Sequence, residues 1–172
     1  MPARKGLFFI RNNKMKLDPI FTVKQNKLYK IEDNTNVDIS SLKRVEIKWS
    51  TIELADEAYN EEYLAQLRDQ LKAMDDAGQF AVLVPVVDKP LETAEQTELF
   101  INAYNHTARR VKDCISVAGI ELPKELTKQG FDAGTPAADF MDTLAIKHAQ
   151  YVYFTCQTEN IPESIVTICD KP

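Results

Sequence analysis

The chain has 172 residues, 44% hydrophobic and 27% charged, with a formal net charge of −5, which is the size and character of a single globular domain. Five Gly, eight Pro and no biased tract exclude collagen-like and low-complexity classes, and no stretch approaches the roughly 18 consecutive apolar residues that span a bilayer. A sequence pI of about 5.1 gives no bulk positive field for phosphate backbones, so neither nucleic acid nor membrane is expected as a partner.

In chain order, Leu7 to Ile10, Ile20 to Val23 and Leu28 to Ile31 read as short β-segments, the last two joined at hairpin length by Gln25-Asn26. The basic start of the chain carries an apolar run of only Leu7 to Ile10, too short for the core of a signal peptide. The expected location is therefore cytoplasmic, or secreted if a leader has been removed upstream. Arg4, Lys5, Arg11, Lys14 and Lys16 read as a basic surface segment. A polar stretch from Glu32 to Ser41 precedes Val45 to Ser50, whose alternation predicts a strand with one apolar and one wet face.

Asn60 is placed to cap a helix with Glu61 and Glu62 in its first turn, Tyr63, Leu64, Leu67, Leu71 and Met74 as its stripe, and Gly78 as its left-handed end. Phe80 to Val87 is a nearly continuous apolar run, as expected of a strand covered on both faces. Pro85 within it predicts a bulge or an early end to pairing. Thr93 and Gln96 form a capping-box pattern before a second helix with Leu99, Phe100, Ala103, Tyr104 and Val111 on one face. Ile115 to Leu122 is a third strand, Thr135-Pro136 starts a helix carrying Phe140, Met141, Leu144 and Ala145, and Tyr151 to Cys156 and Ile165 to Cys169 are the last strands. Strand starts recur at about 35 residues, the length of one βα unit, which predicts an α/β body of four or five parallel strands with right-handed crossovers.

Three segments together resemble the amino-terminal half of a clan A glycoside hydrolase barrel, most like the cellulase-type family 5 enzymes. Val45-Glu46-Ile47-Lys48-Trp49-Ser50-Thr51-Ile52-Glu53, with the helix ending at Ala77-Gly78, resembles their second strand and helix. Phe80 to Pro90 stands in the place of their third strand, and Val117-Ala118-Gly119-Ile120-Glu121-Leu122-Pro123-Lys124-Glu125-Leu126 resembles the fourth, which ends in Asn-Glu-Pro. Ile146 to Phe154 continues the likeness into a fifth strand. The resemblance implies a half-barrel, a truncated TIM-barrel-like sheet over 43–172, preceded by a β-hairpin element and linker over 1–42, the two forming one compact unit.

On this resemblance Glu125 falls on the general acid/base position. Its surroundings depart from the family: Lys124 stands where Asn contacts the sugar, Leu126 where Pro stands, Glu46 where an Arg lies on the second strand, and the third strand ends in Asp88 without a His. Trp49, Asp88, Lys124 and Glu121 are the candidate substrate-binding residues. Retaining hydrolysis needs two carboxyl groups about 5–5.5 Å apart, and the family's nucleophile comes from a seventh strand where this chain stops after about five. A complete barrel takes about 250 residues.

The competing roles are structural. Trp49 also reads as core. Glu121, inside a strand, needs a cation, for which Lys48 is the natural candidate, and Glu125 beside Lys124 also reads as a solvated acid in a strand-to-helix loop. His106 and His148 lie far apart with no spaced acid or Cys, so no metal is expected, and Arg109-Arg110 reads as a solvated face. Cys114, Cys156 and Cys169 are odd in number and lack CxxC spacing, which predicts reduced thiols rather than a disulfide framework or a zinc site. No P-loop, GxGxxG or GxSxG is present, and no cofactor is expected.

Three functions fit. The first is a glycoside-hydrolase-like domain, inactive as a monomer, that covers an open inner face by homodimerisation and serves carbohydrate binding or assembly. The second is a retaining β-glycosidase completed by a partner chain, and the third an open flavodoxin-like ligand-binding sheet. Strand order separates the third from the others, because a doubly wound sheet reverses its order and carries helices on both faces.

Overall fold

A computed structural model describes residues 17–168. Five parallel strands, β3 (Lys43–Lys48), β6 (Ala81–Val86), β7 (Val117–Leu122), β8 (Val152–Thr155) and β9 (Ile165–Thr167), lie side by side in their sequence order. The order never reverses, so the sheet is the half-barrel kind and not the doubly wound kind. The flavodoxin-like reading is corrected on this point.

Helices α2 (Glu61–Ala77), α3 (Ala94–Arg110) and α5 (Pro136–Ala145) cover one face. Their ends are set by the residues anticipated from sequence. Asn60 Oδ1 accepts from Tyr63 N at 3.1 Å, and Gly78 closes α2 at φ 70°. Thr93 and Gln96 complete a reciprocal capping box on α3, and Thr135 caps α5 ahead of Pro136. Against these helices Val45, Ile47, Leu83 and Ile120 of the strands form one core with Leu64, Leu71, Phe100 and Phe140.

The opposite face is not open. The hairpin of β1 (Phe21–Lys24) and β2 (Lys27–Lys30) turns at Gln25 and Asn26, both at positive φ as a tight two-residue turn requires, and lies across it. Phe21 and Leu28 pack there with Val82, Val84, Ala118, Val152, Phe154 and Val166 in a second core. Asn26 fastens the turn to the segment before β9, giving its side-chain NH₂ to Pro162 O at 2.7 Å and Ile165 O at 2.8 Å. The expected uncovered inner face is therefore corrected: the chain covers it with its own hairpin.

Four further differences from the sequence reading are local. The strand expected to run to Ser50 ends at Lys48, and Trp49 begins a four-residue helix, α1 (Trp49–Ile52). A small hairpin follows, β4 (Glu53–Ala55) and β5 (Ala58–Tyr59), with Glu57 at positive φ. The loop expected at Lys124 is a single helical turn, α4 (Lys124–Thr127). The irregularity in β6 falls between Ala81 and Val82, while β6–β7 pairing ends at Leu83, before Pro85. The segment Leu7 to Ile10 and the basic residues up to Lys16 lie outside the described residues.

Cys156 is disulfide-bonded, which corrects the expectation of three reduced thiols. Cys114 is a free thiol, buried and pushed up to about 11 chiefly by burial. Among the described residues no helix is long and apolar enough to cross a membrane.

Candidate functional site at the carboxyl ends of the strands

In parallel α/β sheets, ligands meet the carboxyl ends of the strands, because the loops there are free to carry function. Here that end is formed by α1 after β3, by Asp88 and Lys89 after β6, by α4 after β7 and by Cys156-Gln157 after β8.

Glu121 points to the inner face near the end of β7 and is 7% exposed. A buried carboxylate needs a cation, and the structure supplies Arg44, whose Nη2 and Nε donate to Oε1 at 2.5 and 3.1 Å. The expected partner, Lys48, is corrected. Register explains the choice: Arg44 lies opposite Val82, which lies opposite Gly119, so a long side chain reaches two residues up to Glu121, whereas Lys48 lies opposite Val86 at the end of the sheet. The Cys156 sulfur is 3.3 Å from Glu121 Oε2, a contact only, since a disulfide sulfur has no proton to donate.

Trp49 is a core residue, 2% exposed, with Phe100 edge-on to its ring at 5.1 Å. Its indole N–H donates to Glu53 Oε1 at 2.6 Å, and Lys89 Nζ sits 4.7 Å from its ring centroid. Glu53, 1% exposed, is the residue that sequence reading missed. It accepts from Trp49, from Glu57 N at 2.7 Å and from Lys89 Nζ at 3.4 Å, so its charge is neutralised within the fold. The available signal was Trp49-x-x-x-Glu53, a donor and acceptor four residues apart beside a lysine-bearing loop.

Asp88 is exposed and accepts from Ser50 N at 2.9 Å and Ser50 Oγ at 2.5 Å, tying the end of β6 to α1. Burial works to raise its pKa, but the two bonds from Ser50 outweigh it and hold the carboxyl below its ordinary value. Lys124 and Glu125 lie in α4, Lys124 exposed and Glu125 half-buried. Gln157 Nε2 donates to Thr127 O at 3.2 Å and joins α4 to the end of β8. The structure thus brings Asp88, Lys124 and Glu125 to one end of the sheet, with Glu121 on its inner face and Trp49 beneath. Among the described residues no group of three or more His, Cys, Asp or Glu is arranged to hold a metal.

No family model and no curated protein sequence matches this chain. Solved structures do. Endo-glycoceramidase II from Rhodococcus sp. aligns over 90% of this chain and 52% of its own, with a TM-score of 0.51 and 16% identity. Its lactosyl-enzyme intermediate aligns over 74% and 45% at the same TM-score and identity. The fold is that of half a TIM barrel. A GH5_18 structure from Bifidobacterium longum subsp. infantis aligns over 65% of this chain and 33% of its own, with a TM-score of 0.48 and 14% identity. The half-barrel spans about half of the length of endo-glycoceramidase II, and at 16% identity that likeness establishes the fold alone.

Proposed function

We propose that the half-barrel is a glycoside-hydrolase-like module that binds carbohydrate at the carboxyl ends of its strands and does not hydrolyse it as a single chain. Asp88, Lys124 and Glu125 are the residues that meet the sugar, while Glu121 and Trp49 hold the floor beneath them. The observation that carries this reading is the state of the inner face. It is filled by the β1–β2 hairpin, and the buried acids nearby, Glu121 and Glu53, are each committed to a cation. Retaining hydrolysis needs a second carboxylate free to act as nucleophile about 5–5.5 Å from the acid/base, and a carboxylate held by a guanidinium is a poor candidate.

The apolar motive for dimerisation across the inner face is absent, because the hairpin occupies it. Of the two sheet edges, β9 is met by the hairpin turn, where Thr167 N donates to Asn26 O, and β3 carries exposed Lys43, Arg44, Glu46 and Lys48, which disfavour strand addition. A monomer at tens of micromolar is the expected light-scattering result. The disulfide at Cys156 supports an oxidising location over a reducing cytoplasm.

The test is a β-linked oligosaccharide panel read by calorimetry, together with turnover of aryl β-glycosides. Binding that weakens at least tenfold in Asp88→Asn or Glu125→Gln, without turnover, supports the proposal. Turnover abolished by Glu125→Gln would overturn it in favour of the oligomeric glycosidase, and no binding to any member would sink it.

A further inference from the structure

The cations of this acidic chain are unevenly compensated. Arg44, Arg68, Lys72, Lys89 and Arg110 each face a carboxylate within ion-pair distance. Among the described residues Arg109, Lys112 and Lys147 have no such partner, nor do Lys43, Lys48, Lys124 and Lys128; what sets the first three apart is that they line one groove of about 740 Å³, of which neither Asp88 nor Glu125 is part. Glu57 is the one carboxylate among the residues lining it. The negative ends of α3 and α5 both lie here, Arg109 in the last turn of α3 and Lys147 just past the end of α5, so two different elements bring cations to the same groove. Three cations thus face one groove that a single carboxylate lines.

The rest of the wall is polar and held in place. Tyr59 stacks on His106 with ring centroids 4.3 Å apart, and His106 Nε2 lies 2.8 Å from Glu61 Oε2, which fixes the pair against α2. Asn102 and Gln150 add amides, and Asn105 Oδ1 is buried at the wall without a hydrogen-bond partner. An unsatisfied buried acceptor calls for a donor, and Asn105 is among the residues that line the groove. The volume is within the roughly 300–1,000 Å³ of small-molecule sites. It is too confined, and its cations too few, for a nucleic-acid track.

We propose that this groove binds a small hydroxylated organic anion, a sugar carrying a carboxylate or a phosphate, with Arg109, Lys112 and Lys147 around the anionic group and Asn105 accepting from a hydroxyl. The planar guanidinium of Arg109 suits either oxyanion through paired N–H donors. The site is independent of the carbohydrate surface at the strand ends.

The test is calorimetric titration of the full chain with glucuronate, glucose 6-phosphate, inorganic phosphate and glucose. One of the two sugar anions should bind saturably, at least tenfold tighter than glucose and than phosphate, and should weaken as salt rises. Which one binds identifies the source of the charge. The exposed-site double variant Arg109→Ala/Lys147→Ala should lose at least tenfold in affinity with an unchanged circular dichroism spectrum. Asn105→Ala should lose the advantage of the sugar anion over inorganic phosphate. Asp88→Asn should leave this binding unchanged, which separates it from the strand-end site. Equal affinity for glucose, binding of phosphate with no gain from the sugar, or binding unchanged in the double variant would each overturn the proposal.

Discussion

The two faces of the sheet are built by different means. The helix-covered face is a large-residue core in which Trp49, Phe100 and Phe140 fill the space between amphipathic helices, each element supplying its own stripe. The hairpin-covered face is made mostly of small strand residues, Val82, Val84, Ala118, Val152 and Val166, with Phe154 as its one large strand side chain, and Phe21 and Leu28 reach it from a distant part of the chain. It also carries the Arg44–Glu121 pair that the other face lacks. The first face would form in any βα repeat. The second makes this half-barrel self-sufficient, since it occupies the space that a barrel interior would need.

The sharpest way to break both faces at once is Gly119→Ala. A Cβ there would sit 1.8 Å from the backbone oxygen of Val152, which cannot rotate away, so β7 and β8 would have to separate. The expected cost exceeds about 4 kcal/mol, read as loss of the cooperative unfolding transition in urea. Next, Phe100→Ala on the helix face should cost about 3–5 kcal/mol and Leu28→Ala on the hairpin face about 2–4 kcal/mol in the same assay. Only Leu28→Ala should raise dye binding to exposed apolar surface before unfolding, because only that face depends on a detachable hairpin. If the two variants behave alike, the hairpin is not a separate cover.

Arg44→Met should cost about 1–3 kcal/mol, a discounted range because the Arg44 side chain is 47% exposed. Adding Glu121→Leu should recover most of the loss, since it removes the stranded charge. The smallest effect concerns Asp88. Its folded-state pKa is depressed, so its contribution is complete above the unfolded carboxylate value of about 3.9 and disappears as pH falls through the lower folded value. Ser50→Ala removes both the hydroxyl bond and part of this stabilisation. It should lower stability at pH 7 by under about 1 kcal/mol and shrink the loss measured between pH 4 and pH 2.

Much of the architecture was legible because its signals are local. Asn60, Gly78, Thr93 with Gln96, and Thr135-Pro136 act within a turn of where they stand, and each sets the helix end that was expected of it. Gln25-Asn26 likewise sets the hairpin turn. The candidate site was less legible. Trp49 follows an alternating strand in sequence, yet the chain bends at Lys48 and places the ring in the core against Glu53 and Phe100. Glu121 was recognised as needing a cation, but the choice between Lys48 and Arg44 depends on register across three strands, which has no signature in any one of them.

The sequence by itself determined the βα spacing, the helix ends, the apolar stripes and the resemblance to half a hydrolase barrel, because each rests on interactions within a few residues or on the period of a pattern. Tertiary structure alone decided that the strands run in sequential order, that the first hairpin covers the inner face, which cation meets Glu121, and that Arg109, Lys112 and Lys147 converge on one groove. Those outcomes depend on contacts between residues far apart in the chain, whose partners are fixed only when the sheet has assembled and its two faces compete for what will bury them.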